Sequence, residues 1–172
     1  LTLAHPVRRQ NDASEFLHAL VDSIDKAVEG TPYKGLLQDC LGGSRTTRVS
    51  AELDGRVLTR PATKDVFTVL ELDVKGMSGV HEALADSIKD ENLSGVLWDG
   101  FETPLDSVKR ARVTSPPRHL ALYLKRYVFD LQSLNYSRVN DRFEFPDSLD
   151  MAPYMNVAEE GASSAVNTRY RL

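Results

Sequence analysis

One thiol and four imidazoles are the side chains of this sequence best equipped for nucleophilic or acid–base chemistry: Cys40, His5, His18, His81 and His119. A catalytic thiolate needs a neighbouring base or cation to lower its pKa. Cys40 has the reverse. It follows Asp39 within Leu36-Leu37-Gln38-Asp39-Cys40-Leu41, and an adjacent carboxylate raises a thiol pKa. A structural thiol is the expectation. The histidines show neither HExxH nor CxxC-type ligand spacing, so no metal site is expected. His18 falls on a helix flank and His81 at a helix start. His119 alternates with leucines and should face solvent. Leu41-Gly42-Gly43-Ser44 has the glycines of a phosphate loop without its Gly-Lys-Ser/Thr ending. The basic run Lys109-Arg110-Ala111-Arg112 is short, and reads as a solvated strand face rather than a nucleic-acid contact.

The elements that must carry these residues are those of one ordinary domain. The chain has 172 residues, 21 Lys+Arg against 25 Asp+Glu, and a formal net charge of -4. That length suits one domain, or one compact piece of a larger one. The mild acidity argues against a surface that tracks nucleic-acid phosphates. A single cysteine excludes an internal disulfide and any all-cysteine zinc site, which suits a reducing compartment, cytoplasmic or nuclear. No apolar run approaches the ~20 residues of a membrane span, so no bilayer role is expected. The start, Leu1-Thr2-Leu3-Ala4-His5-Pro6, lacks both an initiator Met and a signal pattern, and suggests a chain cut from something longer.

Asp12 and Glu15 form a capping box that opens a helix over 12–28, with Phe16, Leu17, Leu20, Val21, Ile24 and Val28 at helical spacing. Gly30 and Pro32 end it. A short helical stretch, 35–41, precedes Gly42-Gly43. Residues 48–53 and 56–59 should form a hairpin around Asp54-Gly55. A strand is expected over 66–74, with Leu70, Leu72 and Val74 on one face, then a helix over 80–88. Residues 93–104 read as loop and 107–114 as a polar strand. Residues 119–129 are the strongest strand, with Leu120, Leu122 and Leu124 inward, and 139–145 another, ended by Pro146. Residues 156–167 read as a loop before an extended 168–172. Helix first and strands later, without βαβ alternation, indicate α+β.

Four ordered segments resemble those of ubiquitin-specific proteases (ubiquitin carboxyl-terminal hydrolases). Pro116-Pro117-Arg118-His119-Leu120-Ala121-Leu122-Tyr123-Leu124-Lys125-Arg126-Tyr127 is similar to that family's P-P-x-x-L-x-L-x-L-K-R-F/Y strand. Val139-Asn140-Asp141-Arg142-Phe143-Glu144-Phe145-Pro146 resembles its next strand, and Gln10-Asn11-Asp12-Ala13-Ser14-Glu15-Phe16-Leu17 its Q-x-D-A-x-E-F-L box. Val66-Phe67-Thr68-Val69-Leu70-Glu71-Leu72-Asp73-Val74-Lys75-Gly76 resembles the strand leaving its fingers.

The resemblance implies a papain-like thumb–palm–fingers architecture, mainly antiparallel. It divides the chain into a thumb-side helix (10–30), a fingers-like region (44–115) and palm strands (116–172). It implies a thiol-dependent deubiquitinase that binds ubiquitin or ubiquitinated protein and cleaves after ubiquitin's C-terminal glycine. The family's cysteine box would precede Gln10, and its histidine box would follow Tyr170-Arg171-Leu172. Neither lies in this chain, so no catalytic residue is assigned here and the flanking segments of the domain are an expected partner. The alternatives are a non-catalytic ubiquitin-binding or scaffold domain, and a structural subunit of a large assembly. By resemblance Asp12 and Glu15 face the arginines of ubiquitin's tail, Gln10 sits nearest the catalytic centre, and Tyr127 and Phe143 line the channel or adjoining loops. The family's fingers often hold zinc through two C-x-x-C pairs. The matching stretches here, 46–58 and 96–102, lack cysteine, so no zinc or other cofactor is expected and Trp98 and Phe101 should pack the fingers instead.

Overall fold

A computed structural model describes residues 13–130, 134–155 and 167–172. Helix α1 (Ala13–Val28) buries Val21 and half-buries Leu17, Leu20, Ile24 and Val28, most of the stripe its periodicity predicts, while Phe16 stays 46% exposed. It stops where the Thr31 N–H and Oγ1 both donate to the Val28 carbonyl, just before Pro32. Helix α2 (Leu36–Leu41) packs beside it.

The fingers are one five-stranded antiparallel sheet. Strand β1 (Gly43–Leu53) forms its spine. At Asp54 and Gly55 φ is 50° and 73°, the left-handed pair a tight two-residue hairpin needs, and β2 (Arg56–Thr59) returns along β1. Strand β3 (Thr63–Phe67) continues along that edge. On the other side β1 pairs β6 (Leu105–Ser115), which pairs β5 (Glu91–Val96).

The palm is built from smaller pairings. Strand β4 (Leu70–Asp73) runs parallel to β7 (Leu122–Lys125), with Leu70 opposite Leu122 and Leu72 opposite Leu124. Strand β8 (Tyr127–Asp130) pairs β9 (Asn135–Arg138), and β10 (Ser148–Asp150) pairs β11 (Arg169–Arg171). Helix α3 (Val80–Ser87) and a single 3-10 turn (Ala152–Tyr154) complete it. The core gathers Leu70, Leu72, Val74, Val80, Leu84 and Met151 with Val113 from the fingers strand β6. The Leu70/Leu72/Val74 face is therefore the buried one, and Glu71 and Asp73 point outward to Lys125 Nζ at 3.3 and 3.7 Å.

Several sequence expectations are corrected. The 66–74 strand breaks at Thr68-Val69: its first part pairs in the fingers as β3, its second in the palm as β4. The 119–129 strand starts at Leu122 and breaks at Arg126, because the Arg126 N–H turns back to the Leu124 carbonyl. Residues 139–145 form no strand. Their N–H groups find scattered acceptors instead, Val139 on the Arg126 carbonyl and Glu144 on the Ser78 carbonyl, and the strand lies earlier, as β9. Residues 91–96, read partly as loop, are the edge strand β5, where Gly95 at φ 70° accompanies a break in register. Within the 44–115 stretch, β4 and α3 share a core with Val113 of β6 and with Leu149 and Met151.

Candidate functional site

Arg126 organises the ground between the two predicted aromatic contacts. Its guanidinium donates through Nη1 to the carbonyls of Val139 and Asp141, both at 3.2 Å, and its Cζ lies 6.0 Å from the Phe143 ring centroid. One residue thus ends β7 and pins the 139–143 loop. The motif made Arg126 visible, but this role follows only from the tertiary fold.

Tyr127 stands 55% exposed on β8. Its hairpin partner is Arg138, and the next aromatics along the same face, Phe129 and Tyr136, meet edge-on at 5.1 Å between centroids. Phe143 lies deeper than Tyr127. It is 7% exposed, stacked edge-on against Phe145 at 5.5 Å and packed in the core, so its ring supports the loop from below. Glu15 is exposed on the first turn of α1, on a separate element. Gln10 and Asp12 lie outside the described residues.

Beside this region is a cleft of about 420 Å³, lined by Leu120, Leu122 and Leu124 on one side and Leu149, Tyr170 and Leu172 on another. The Tyr170 hydroxyl donates to the Pro117 carbonyl, and burial pushes its phenol pKa up. Asp150 braces the β10–β11 pair next to it. Its Oδ1 accepts from the Ala152 N–H and from Thr168 Oγ1, both at 2.9 Å, and Arg169 Nε lies 3.7 Å from Oδ2. The Ala152 N–H first, then Thr168 and Arg169, hold this carboxyl below the usual carboxylate range.

That depression has a sign in stability. The unfolded chain, with its aspartates near ~3.9, takes up the proton at higher pH than the folded one does. Stability from Asp150 is therefore present above the unfolded pKa and lost as pH falls through the folded pKa. Thermal melts between about pH 2 and 6 should fall on the acid side, and Asp150→Asn should flatten that fall. An unchanged acid limb in the variant would remove Asp150 from the account.

Of the described histidines, His119 lines the rim of the cleft, while His18 and His81 lie elsewhere; His5 is outside the described residues. His18 and His119 are exposed. Cys40 is half-buried, and its carbonyl accepts the His119 backbone N–H at 2.9 Å. His81 is exposed, and its Nδ1 lies 2.9 Å from the Tyr154 hydroxyl, tying α3 to the 3-10 turn. Trp98 packs as expected, with Nε1 donating to Ser107 Oγ at 3.0 Å and Arg60 Cζ 4.9 Å from the ring centroid. Phe101 does not: it is 36% exposed, beyond the tight turn that joins its N–H to the Trp98 carbonyl. Among the described residues no group of three or more His, Cys, Asp or Glu could hold a metal ion, and no helix is long and apolar enough to cross a membrane.

The ubiquitin carboxyl-terminal hydrolase family model matches residues 4–172. This chain belongs to the ubiquitin carboxyl-terminal hydrolase family. It is 33% identical over 151 residues to ubiquitin carboxyl-terminal hydrolase 9Y of Homo sapiens, covering 86% of this chain and 6% of that protein. It is 30% identical over 160 residues to ubiquitin carboxyl-terminal hydrolase 15 of Schizosaccharomyces pombe, covering 91% of this chain and 14% of that protein. Among solved structures, a chain of the SAGA DUB module bound to monoubiquitin superposes with a TM-score of 0.72 at 26% identity, over 85% of this chain and 34% of that one. A chain of the same module bound to ubiquitin aldehyde gives a TM-score of 0.74 at 24% identity, over 88% of this chain and 34% of that one. The hydrolase-family chain described here therefore spans a small part of the relatives it matches. Within that family frame the α+β fingers-and-palm fold is the shared element.

Proposed function

We propose that this chain is the fingers-and-palm portion of a cysteine-type deubiquitinase that binds ubiquitin and hydrolyses the isopeptide or peptide bond at its C-terminal glycine. The thiolate and imidazole that do the chemistry are supplied by residues outside these 172, on the motif mapping. The observation that carries the reading is the fold shared with a chain of a DUB module bound to monoubiquitin, together with the family match over residues 4–172.

In this reading the residues present do the holding. Asp12 and Glu15 present carboxylates to the guanidinium groups of ubiquitin's C-terminal tail, where paired charge-assisted hydrogen bonds form. A carboxylate has several acceptor sites, so capping the helix and binding a guanidinium are compatible. Gln10 lies toward the catalytic centre. Tyr127 offers an exposed amphipathic ring to the tail, and Phe143 acts from beneath, through Arg126 and the loop it pins.

The test is ubiquitin binding. Asp12→Ala should weaken affinity by about 1.5–3 kcal/mol, roughly ten- to a hundredfold, while lowering the melting temperature little. Titration of labelled ubiquitin into wild type and variant, with thermal melts alongside, separates recognition from capping. Equal affinity with a lowered melting temperature would leave only the cap.

A further inference from the structure

Along α1, His18, Val21, Asp22 and Asp25 fall at i, i+3, i+4 and i+7, so they share one stripe of the helix. This stripe and the 66–69 segment, where β3 gives way to β4, line one hollow of about 390 Å³. Val66, Phe67 and Val69 make that segment's share of the lining mostly apolar. Neither Lys nor Arg lines the hollow, so its fixed charge is that of Asp22 and Asp25.

Asp25 carries a second, independent signal. Its Oδ1 is closed to solvent and accepts no hydrogen bond, and no other buried side-chain oxygen or nitrogen among the described residues lacks a partner. Lys26 and Lys34 line the neighbouring hollow on Asp25's other side, with Glu29, and leave that oxygen unanswered. Neither Asp22 nor Asp25 forms an ion pair among the described residues. A carboxylate oxygen with neither water nor a donor is costly to keep. Asp22, three residues away on the same stripe, adds like-charge repulsion. A cation placed between the two carboxylates relieves both costs.

We propose that this hollow receives a lysine side chain presented by a protein partner, with its ammonium between Asp22 and Asp25 and its aliphatic stem along Val21, Val66 and Val69. A lysine carries its charge at the end of a slim apolar stem, which suits a lining that is apolar on one side and acidic on the other. An arginine fits less well. Its fork seeks both oxygens of one carboxylate, and Asp25 keeps one of its two out of reach. A metal ion fits less well too, since no group of three or more His, Cys, Asp or Glu among the described residues could hold one. The inference uses neither Glu15 nor Tyr127 and does not depend on ubiquitin as the partner.

The test titrates the blocked peptide Ala-Lys-Ala into the isotope-labelled 172-residue chain and follows its amide NMR shifts. Peptides with acetyl-lysine, norleucine or arginine in place of lysine are the comparators. The lysine peptide should shift amides of α1 and of residues 66–69, and its affinity should fall with added salt. Acetyl-lysine and norleucine, which keep the stem and lose the charge, should leave those amides unmoved. Asp25→Asn should weaken lysine-peptide binding about tenfold. The same variant should not lower the melting temperature, because an unpartnered amide costs less than an unpartnered charge. Equal binding of the acetyl-lysine or norleucine peptide overturns the proposal, as does an arginine peptide that binds more tightly, or binding indifferent to Asp25→Asn. Should Asp25→Asn fail to fold, unchanged lysine-peptide binding in Asp22→Asn would be decisive against it.

Discussion

Leu72→Ala is expected to destabilise the domain by about 2–5 kcal/mol. Leu72 is 0% exposed, sits opposite Leu124 in the parallel β4–β7 pair, and belongs to the cluster that holds Leu84 and Met151. Removing its branched end loses the transfer free energy of the buried methyl and methylene groups. It also opens a cavity between a strand pair and a helix that cannot both move in to fill it. Urea or thermal melts measure the loss, with Leu97→Ala as the matched control. Leu97 is 64% exposed, and its truncation should stay within about 0.5 kcal/mol of wild type. Similar small losses in both variants would mean that the palm core is not built around β4.

Trp98→Ala should cost about 3–5 kcal/mol, felt first in the fingers. The indole is 8% exposed, its Nε1 donates to the buried Ser107 Oγ, and Arg60 lies over its ring. Trp98→Phe separates two contributions. It keeps most of the apolar contact and the cation–π face, but leaves Ser107 without its donor, which costs about 1–3 kcal/mol. Hydrogen exchange should show the loss of protection concentrated in β5 and β6. If phenylalanine cost as much as alanine, the hydrogen bond rather than the ring would be what Trp98 contributes.

The β4 and Trp98 regions mark where local reading ends. Trp98 had no cysteine-based alternative in its stretch, so packing could be foreseen; that its neighbour in sequence, Phe101, stays 36% exposed could not. A turn between them sends the two rings in different directions. In the candidate site, Asp12, Glu15 and Tyr127 were legible as motif positions. Phe143 was legible as a position but not as a role, because burial depends on what the 139–143 loop lies against. The hollow beside Asp25 was invisible, since the 66–69 segment comes against α1 only in the tertiary fold.

By itself the sequence determined the family, through four ordered motifs. It also determined the elements whose causes lie within a few residues: α1 from its apolar spacing and the Gly30–Pro32 stop, the β1–β2 hairpin from Asp54-Gly55, and the buried Leu70/Leu72/Val74 face from alternation. Only the tertiary structure decided where the longer apolar runs stop being strands. Residues 66–74 supply two sheets because Phe67 finds Gly43 and Leu70 finds Leu122. Residues 139–145 form none because their N–H groups meet the carbonyls of Arg126 and Ser78. A backbone N–H removed from water must find an acceptor, and side-chain pattern alone does not say which strand, turn or loop will bring one within reach.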